Sequence, residues 1–202
     1  MPGSHYALSE ALIVLVSLWI AYRFVRYRAF YGAAGVGVIG AIAAVGMVRY
    51  GLNLVDPLSG AHRFASQVGG ALAMALIALQ FVTMLAVWPR AALPWLGAGL
   101  AAFTALGVFV FAQLATPLSG LWLLVLLGAV VALPHQSLGQ RMIAAMIVLG
   151  FLANALWVRQ SPALGPSLSW HLFHIFTAFW LAGIYWVWRG CSTAVSGQFE
   201  PA

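Results

Sequence analysis

The sequence predicts an all-α integral membrane protein, a bundle of about seven transmembrane helices formed by a single domain over residues 1–202. Of the 202 residues, 64% are hydrophobic and only 6% are charged, and the mean hydropathy is +1.00. A soluble domain carries roughly 25% charged residues, and a chain of this length cannot hide so much apolar surface in its own interior. The composition therefore excludes a soluble globular domain and a disordered chain.

The apolar residues come in uninterrupted runs, which favours helices over a transmembrane β-barrel. Residues 71–79 are apolar at every position, whereas a barrel strand alternates apolar and polar residues. A helix needs about 20 apolar residues to cross a bilayer, and seven segments approach that length. The fifth is the shortest because Pro117 and Pro134 bound it. The predicted spans are residues 7–21, 30–48, 67–88, 93–113, 118–133, 142–158 and 168–188.

The second span is rich in small residues, with five glycines between Gly32 and Gly46. Small residues let the backbones of two membrane helices approach closely. The partner of this face is either another helix of the same chain or the same helix of a second copy.

The nine basic residues are all arginines and are scattered along the chain. This distribution indicates membrane topology and no nucleic-acid partner, because a phosphate-binding surface needs clustered charge. With the N-terminus outside, arginines 23, 26, 28, 90, 141 and 189 lie inside, and 49, 63 and 159 lie outside. The positive-inside rule therefore favours an N-out, C-in orientation. The use of Arg without Lys suggests a GC-rich genome and a bacterial inner (cytoplasmic) membrane.

Most polar side chains fall at the outer end of the predicted bundle. Polar groups at membrane depth are costly, so each one marks a functional hypothesis. The inner half holds little besides Gln80 and Thr83 near mid-depth. Because the loops are short, the outer groups are expected to line one cavity. They are Glu10, Asn53, Asp56, His62, Ser66, Gln67, Gln113, Asn154, His171 and His174.

The segment Trp170-His171-Leu172-Phe173-His174 carries the clearest chemical pattern. Residues three apart project from neighbouring positions of a helix, so His171 and His174 can bind one metal ion, with His62 as a third ligand. Three imidazoles and a water form an open zinc site, which can generate hydroxide for attack on a carbonyl.

The residues predicted to assist this zinc site lie at the same end of the bundle. Asp56 or Glu10 would transfer protons or orient a histidine. Ser59 or Ser66 would stabilise the oxyanion that forms on the substrate carbonyl.

Three other interpretations fit the same residues. Both histidines of the HxxH pair can simply bond to backbone or lipid headgroups at the membrane interface. One of them can instead ligate haem b, or the aromatic-rich cavity can hold a quinone, in an electron-transfer protein. Finally, a small, nearly loop-free chain is typical of a structural or assembly subunit that binds partner subunits in a larger membrane complex.

The last span also resembles a known family. Residues 170–177, WHLFHIFT, together with seven predicted spans, are similar to the superfamily of alkaline ceramidases, adiponectin-type receptors and haemolysin III proteins. That resemblance implies a seven-helix hydrolase that binds zinc through three histidines and cleaves a lipid amide or ester.

The sequence departs from this family at the site itself. The family pattern has a Ser and a His on span two, an Asp on span three and HxxxH on span seven, whereas this chain has HxxH. Ser167 and Trp170 occupy the positions that would give the longer spacing, and Tyr50 closes a second span without histidine. His62 would therefore supply the third ligand and Asp56 the carboxylate.

Overall fold

The computed structural model describes residues 3–85, 93–134 and 136–196, and every regular element in these ranges is helical. The eight α-helices are α1 (Tyr6–Arg26), α2 (Phe30–Gly51), α3 (Ser59–Phe64), α4 (Gly70–Val82), α5 (Leu93–Val110), α6 (Ala115–Ala132), α7 (Leu138–Ala153) and α8 (Gly165–Ser196). A π-helical turn, Ala65–Gly69, joins α3 to α4, and a second, Asn154–Val158, extends α7. The all-helical class predicted from the sequence is confirmed.

Five helical segments are long and apolar enough to cross a membrane, as expected of an integral membrane protein. They are Tyr6–Arg26, Phe30–Gly51, Ser59–Leu85, Ala112–Ala132 and Leu138–Val158. The short fifth predicted span lies in the segment Ala112–Ala132. Pro117 is tolerated there because it occupies the first turn of α6, where a backbone N–H has no acceptor within the helix. Predicted spans 93–113 and 168–188 fall on α5 and α8, and residues 86–88 of the third lie outside the described ranges.

The helices form a closed ring in the order α1, α2, α4, α6, α7, α8, with α5 packed on the outside of α4. The ring closes because α8, the last helix, packs against α1, the first. Helix α4 is the most enclosed: residues 71 and 73–81 are all buried. This position explains its sequence, since a helix surrounded by neighbours is apolar on every side.

The glycines of α2 allow close packing within the chain. A Cβ at Gly35 would lie 3.0 Å from the Ala73 carbonyl oxygen of α4, and one at Gly40 would lie 2.8 Å from the Ser17 Cβ of α1. Gly37 faces open space. The sequence allowed this helix to pack against another helix of the same chain or against a second copy. In the structure, the buried glycines Gly35 and Gly40 pack against α4 and α1 of the same chain.

Gln80 of α4, expected near mid-depth, caps the start of α2. The first backbone N–H groups of a helix have no partner inside the helix, and α2 has no side-chain cap of its own. The buried Gln80 Oε1 accepts a hydrogen bond from the Gly32 N–H at 3.1 Å. Gln80 therefore has a structural role between two core helices.

Replacing Gln80 with Met is expected to lower the free energy of unfolding by about 1–3 kcal/mol, because the buried Gly32 N–H loses its acceptor. Reversible unfolding in mixed micelles measures the change. The matched control is Gln113→Met, since Gln113 is exposed and a surface exchange changes stability by about 0.5 kcal/mol or less. Equal stability of both variants would contradict the capping role.

Candidate functional site

The site is built around Glu10, a carboxylate that lies inside the helix bundle. Glu10 is on the second turn of α1 and is only 2% exposed. A buried charge needs a partner, because its desolvation is expensive. Two histidines supply the contact: His174 Nε2 lies 3.2 Å and His62 Nε2 3.9 Å from Glu10 Oε1. We call these three residues, Glu10, His62 and His174, the Glu10 cluster.

The protons of the His174 ring follow from its other contact. His174 Nδ1 lies 2.7 Å from the Trp170 carbonyl oxygen. A carbonyl oxygen only accepts hydrogen bonds, so Nδ1 carries a proton and donates it. In the neutral ring, Nε2 then carries a lone pair, and it lies 3.2 Å from Glu10 Oε1.

The cluster therefore brings two acceptors together. Glu10 Oε1 is buried and receives no hydrogen bond from any described residue, although His174 Nε2 is 3.2 Å away. Two lone pairs at this distance repel each other unless a proton or a metal cation lies between them. The geometry thus calls for a positive charge at this point.

Gly46 of α2 provides the space for the carboxylate. A Cβ at position 46 would collide with Glu10 Oε1 and would lie 2.6 Å from Glu10 Cδ. The first and second helices approach so closely here that only glycine leaves room for a glutamate between them. Sequence reasoning did not identify Gly46 as part of the site, because the glycine pattern of α2 indicated only close packing.

His171, the third predicted metal ligand, has different partners. Its Nδ1 lies 3.1 Å from Ser9 Oγ, and its ring stacks on Tyr6 at 5.3 Å between centroids. The ring of His5 is also 5.3 Å away. The structure therefore brings His62 and His174 to Glu10, and it holds His171 against Ser9 and Tyr6 of α1.

Three aromatic rings lie beside the Glu10 cluster. Tyr6 of α1, Tyr50 of α2 and Trp170 of α8 contact one another with centroids 5.4 to 5.7 Å apart. The Trp170 ring also packs on His174 at 4.5 Å. Its indole N–H is buried and has no acceptor among the described residues. Trp170 thus fixes His174 through its carbonyl and offers an unused donor next to it.

The predicted acid/base and oxyanion residues outside α1 lie in the segment between α2 and α4. Asp56 is exposed, and its backbone carbonyl accepts a hydrogen bond from Ser59 Oγ at 2.9 Å. Ser66 is half-buried in the π-helical turn that follows α3. Within the described contacts, neither Asp56, Ser59 nor Ser66 touches the Glu10 cluster, whereas Glu10 lies at its centre.

The Glu10 cluster contains the nitrogen and oxygen atoms that bind metals, but these atoms do not stand at the distances of a formed metal site. No three His, Cys, Asp or Glu side chains of the described part of the chain stand at the spacing of a formed metal site. Two ligand atoms of a tetrahedral zinc, each bonded at about 2.0–2.1 Å, lie roughly 3.3 Å apart. The pair formed by Glu10 and His174 matches that separation, whereas His62 would have to approach further. A metal-binding histidine usually donates its second N–H to a carbonyl or carboxylate, as His174 does.

Replacing Gly46 with Ala is expected to lower the free energy of unfolding by about 1–3 kcal/mol, because the added methyl overpacks the space of the Glu10 carboxylate. Gly37→Ala on the same helix is the control and should leave stability unchanged. Adding Glu10→Asp, which shortens the side chain, should restore part of the loss, with a coupling energy of about 0.5–3 kcal/mol. Strict additivity of the two changes in an unfolding experiment would contradict the contact.

Comparison with known proteins gives no relative from which a function could be transferred. No protein-family model, curated protein or solved structure matches this chain. The function is therefore argued from the chemistry of the Glu10 cluster and its surroundings.

Proposed function

We propose that this protein is a zinc-dependent membrane hydrolase that cleaves a lipid amide or ester, with zinc bound by Glu10, His62 and His174. The observation that carries the proposal is the convergence of two imidazole Nε2 atoms on one buried carboxylate oxygen. The contact of His174 Nδ1 with a carbonyl supports the proposal further, because it leaves on Nε2 a lone pair that can bind a metal ion.

Zinc is supported over a proton by the composition of the donor set. Nitrogen and oxygen ligands of this kind suit zinc, and a catalytic zinc site has three protein ligands and one open position. A proton between Glu10 and His174 would satisfy those two groups only, and it would leave the Nε2 of His62 at 3.9 Å without a role. A divalent cation draws in all three groups.

The chemistry divides between the bound metal and the chain. A zinc ion in such a site supplies a Lewis acid and lowers the pKa of a bound water to about 7. The chain orients its ligands: Trp170 O fixes His174, and Gly46 leaves the space in which Glu10 sits. The unpaired Trp170 indole N–H can donate to the substrate carbonyl oxygen, a role that we expected of Ser59 or Ser66. The rings of Tyr6 and Tyr50 pack against Trp170 beside the cluster.

A lipid substrate is supported by the place of the cluster in the bundle. Glu10 lies on the second turn of α1, His174 on the third turn of α8 and His62 in the short helix α3. Helix ends of membrane proteins are near the lipid headgroups, where the amide and ester bonds of lipids are found. The resemblance of residues 170–177 points to the same substrate class. We further propose seven spans, an N-out orientation and a bacterial inner membrane.

Metal content tests the proposal directly. Protein purified in detergent, without chelator or histidine tag, is expected to contain about one zinc per chain. Glu10→Gln, His62→Ala and His174→Ala should each lose most of the zinc, since each removes one ligand. His5→Ala is the matched control, because His5 is an exposed histidine at the same end of the bundle, and His171→Ala should also retain zinc.

Two results would contradict this assignment. A metal-free wild-type protein would exclude the zinc site and favour a structural subunit, to be followed by identification of co-purifying partners. A Soret absorption band in place of zinc would assign the histidines to haem.

Hydrolysis of a fluorogenic N-acyl amide and of the matching ester in mixed micelles is the activity test. Activity is expected in the wild type, should disappear on chelation and should return on addition of zinc. Trp170→Phe should lower kcat more than it changes KM, because a donor to the oxyanion acts in the transition state. Chelator-resistant hydrolysis would contradict the metal-dependent mechanism.

A further inference from the structure

Three arginines lie together at the end of the bundle opposite the Glu10 cluster. Arg23 and Arg26 are on the last turn of α1, and Arg28 is in the turn that leads to α2. Arg23 lies about 20 Å along the helix from Glu10, so the two groups of polar residues are separated by most of the length of the span. We call Arg23, Arg26 and Arg28 the arginine cluster.

No carboxylate neutralises the arginine cluster in the part of the chain that the structure describes. The sequence has three acidic residues, Glu10, Asp56 and Glu200. Glu10 near the start of α1 and Asp56 after the end of α2 are at the other end of the bundle, and Glu200 lies outside the described ranges. The surface at this end therefore carries a positive charge that favours an anionic partner.

Two tyrosines hold two of the three guanidinium groups. Arg23 Nε donates to Tyr185 OH of α8 at 3.1 Å, and Arg26 Nη1 donates to Tyr22 OH at 3.1 Å. A guanidinium has five N–H donors, so each of these contacts leaves most donors of the side chain for a ligand. Arginine is suited to phosphate because two parallel N–H groups can bind two of its oxygens at once.

Arg28 has a backbone conformation that usually belongs to glycine. Its φ is 58°, in the left-handed region. The Arg28 N–H donates to the Val25 carbonyl at 3.0 Å and the Ala29 N–H to the Phe24 carbonyl at 2.9 Å, the bonds of a helix end at which glycine is preferred. A side chain here costs stability, because its Cβ is crowded in this conformation. An exposed arginine at such a position points to a function of its side chain.

An exposed apolar stripe on α1 leads to Arg26. Leu15, Leu18, Tyr22 and Val25 are each 52–67% exposed, and their positions project within about 80° of one another around the helix axis. Arg26 follows Tyr22 by one turn on the same side of α1. A hydrocarbon chain that lies along this stripe would thus end at a guanidinium group, whereas a free phosphate would have no use for the stripe.

We propose that the arginine cluster binds the headgroup of an anionic phospholipid, whose acyl chains lie along the apolar stripe of α1. The lipid phosphate accepts hydrogen bonds from Arg26 and Arg28, and Arg23 adds positive charge beside α8. A zwitterionic lipid offers the same phosphate, but its ammonium group cancels the attraction and would lie next to the arginines. This site does not depend on zinc or on the proposed hydrolysis.

Native mass spectrometry of the full-length protein in detergent, with added dioleoyl phosphatidylglycerol or dioleoyl phosphatidylcholine, tests this site. The two lipids have the same acyl chains, so the ratio of their affinities measures recognition of the headgroup. The wild type should bind phosphatidylglycerol at least about tenfold more tightly, because each arginine near a lipid headgroup adds about fivefold. Equal affinity for the two lipids would overturn the proposal. Release of bound phosphatidylglycerol by an excess of inorganic phosphate would also overturn it, because a free anion would then be a sufficient ligand.

Two substitutions test the arginines that contact the phosphate. Arg26→Gln and Arg28→Gln should each lower the affinity for phosphatidylglycerol about fivefold and leave that for phosphatidylcholine unchanged. Arg63→Gln is the matched control, since Arg63 is an exposed arginine of α3 at the opposite end, and it should leave both affinities unchanged. An equal effect of all three substitutions would indicate attraction to any positive charge and would overturn the site.

Arg28→Gly separates lipid binding from folding. Glycine fits the left-handed conformation better than arginine, so this variant should resist unfolding by dodecyl sulfate better than the wild type. Its affinity for phosphatidylglycerol should nevertheless fall about fivefold. Lower stability of Arg28→Gly would mean that the arginine serves the fold, and unchanged affinity would mean that it does not contact the headgroup. Either result would overturn its assignment to the lipid site.

Discussion

The burial of one carboxylate constrains the rest of this structure. The Glu10 side chain of α1 is enclosed next to α2, α3 and α8, and the imidazoles of His62 and His174 face its carboxylate. That contact requires a glycine at position 46, and it also requires the packing of α8 on α1 that closes the helix ring. The Glu10 oxygen and the His174 lone pair repel each other unless a proton or a metal cation lies between them.

The last helix, α8, serves different environments on its different sides. Towards α1 it presents His171 and His174, whose ring nitrogens contact Ser9 and Glu10. Towards α7 it presents an aromatic wall with the indole of Trp180. On both sides a buried polar atom has no hydrogen-bond partner among the described residues, Glu10 Oε1 near His174 and the indole N–H of Trp180.

The sequence located the polar end of the bundle, but it did not assign the contacts there. The HxxH spacing correctly placed His171 and His174 on neighbouring positions of one helix. The two side chains are rotated by about 60° around the axis of α8, and they contact different residues of α1, His171 Ser9 and His174 Glu10. Glu10 was a candidate for acid/base chemistry, and only the packing of α3 and α8 next to α1 made it the residue that both His62 and His174 face. Gln80, expected near mid-depth, caps α2 because α4 passes the start of that helix.

The sequence by itself determined the helical membrane class, because continuous apolar runs and 6% charged residues allow no other stable arrangement in water or lipid. It also determined which end of the bundle is polar, since depth along a span can be counted from residue to residue. Tertiary structure alone decided that α8 packs on α1 and that Gly46 leaves space for Glu10. These facts depend on the order of helices around the ring and on their rotation, and neither is encoded in the hydrophobic pattern of any single segment.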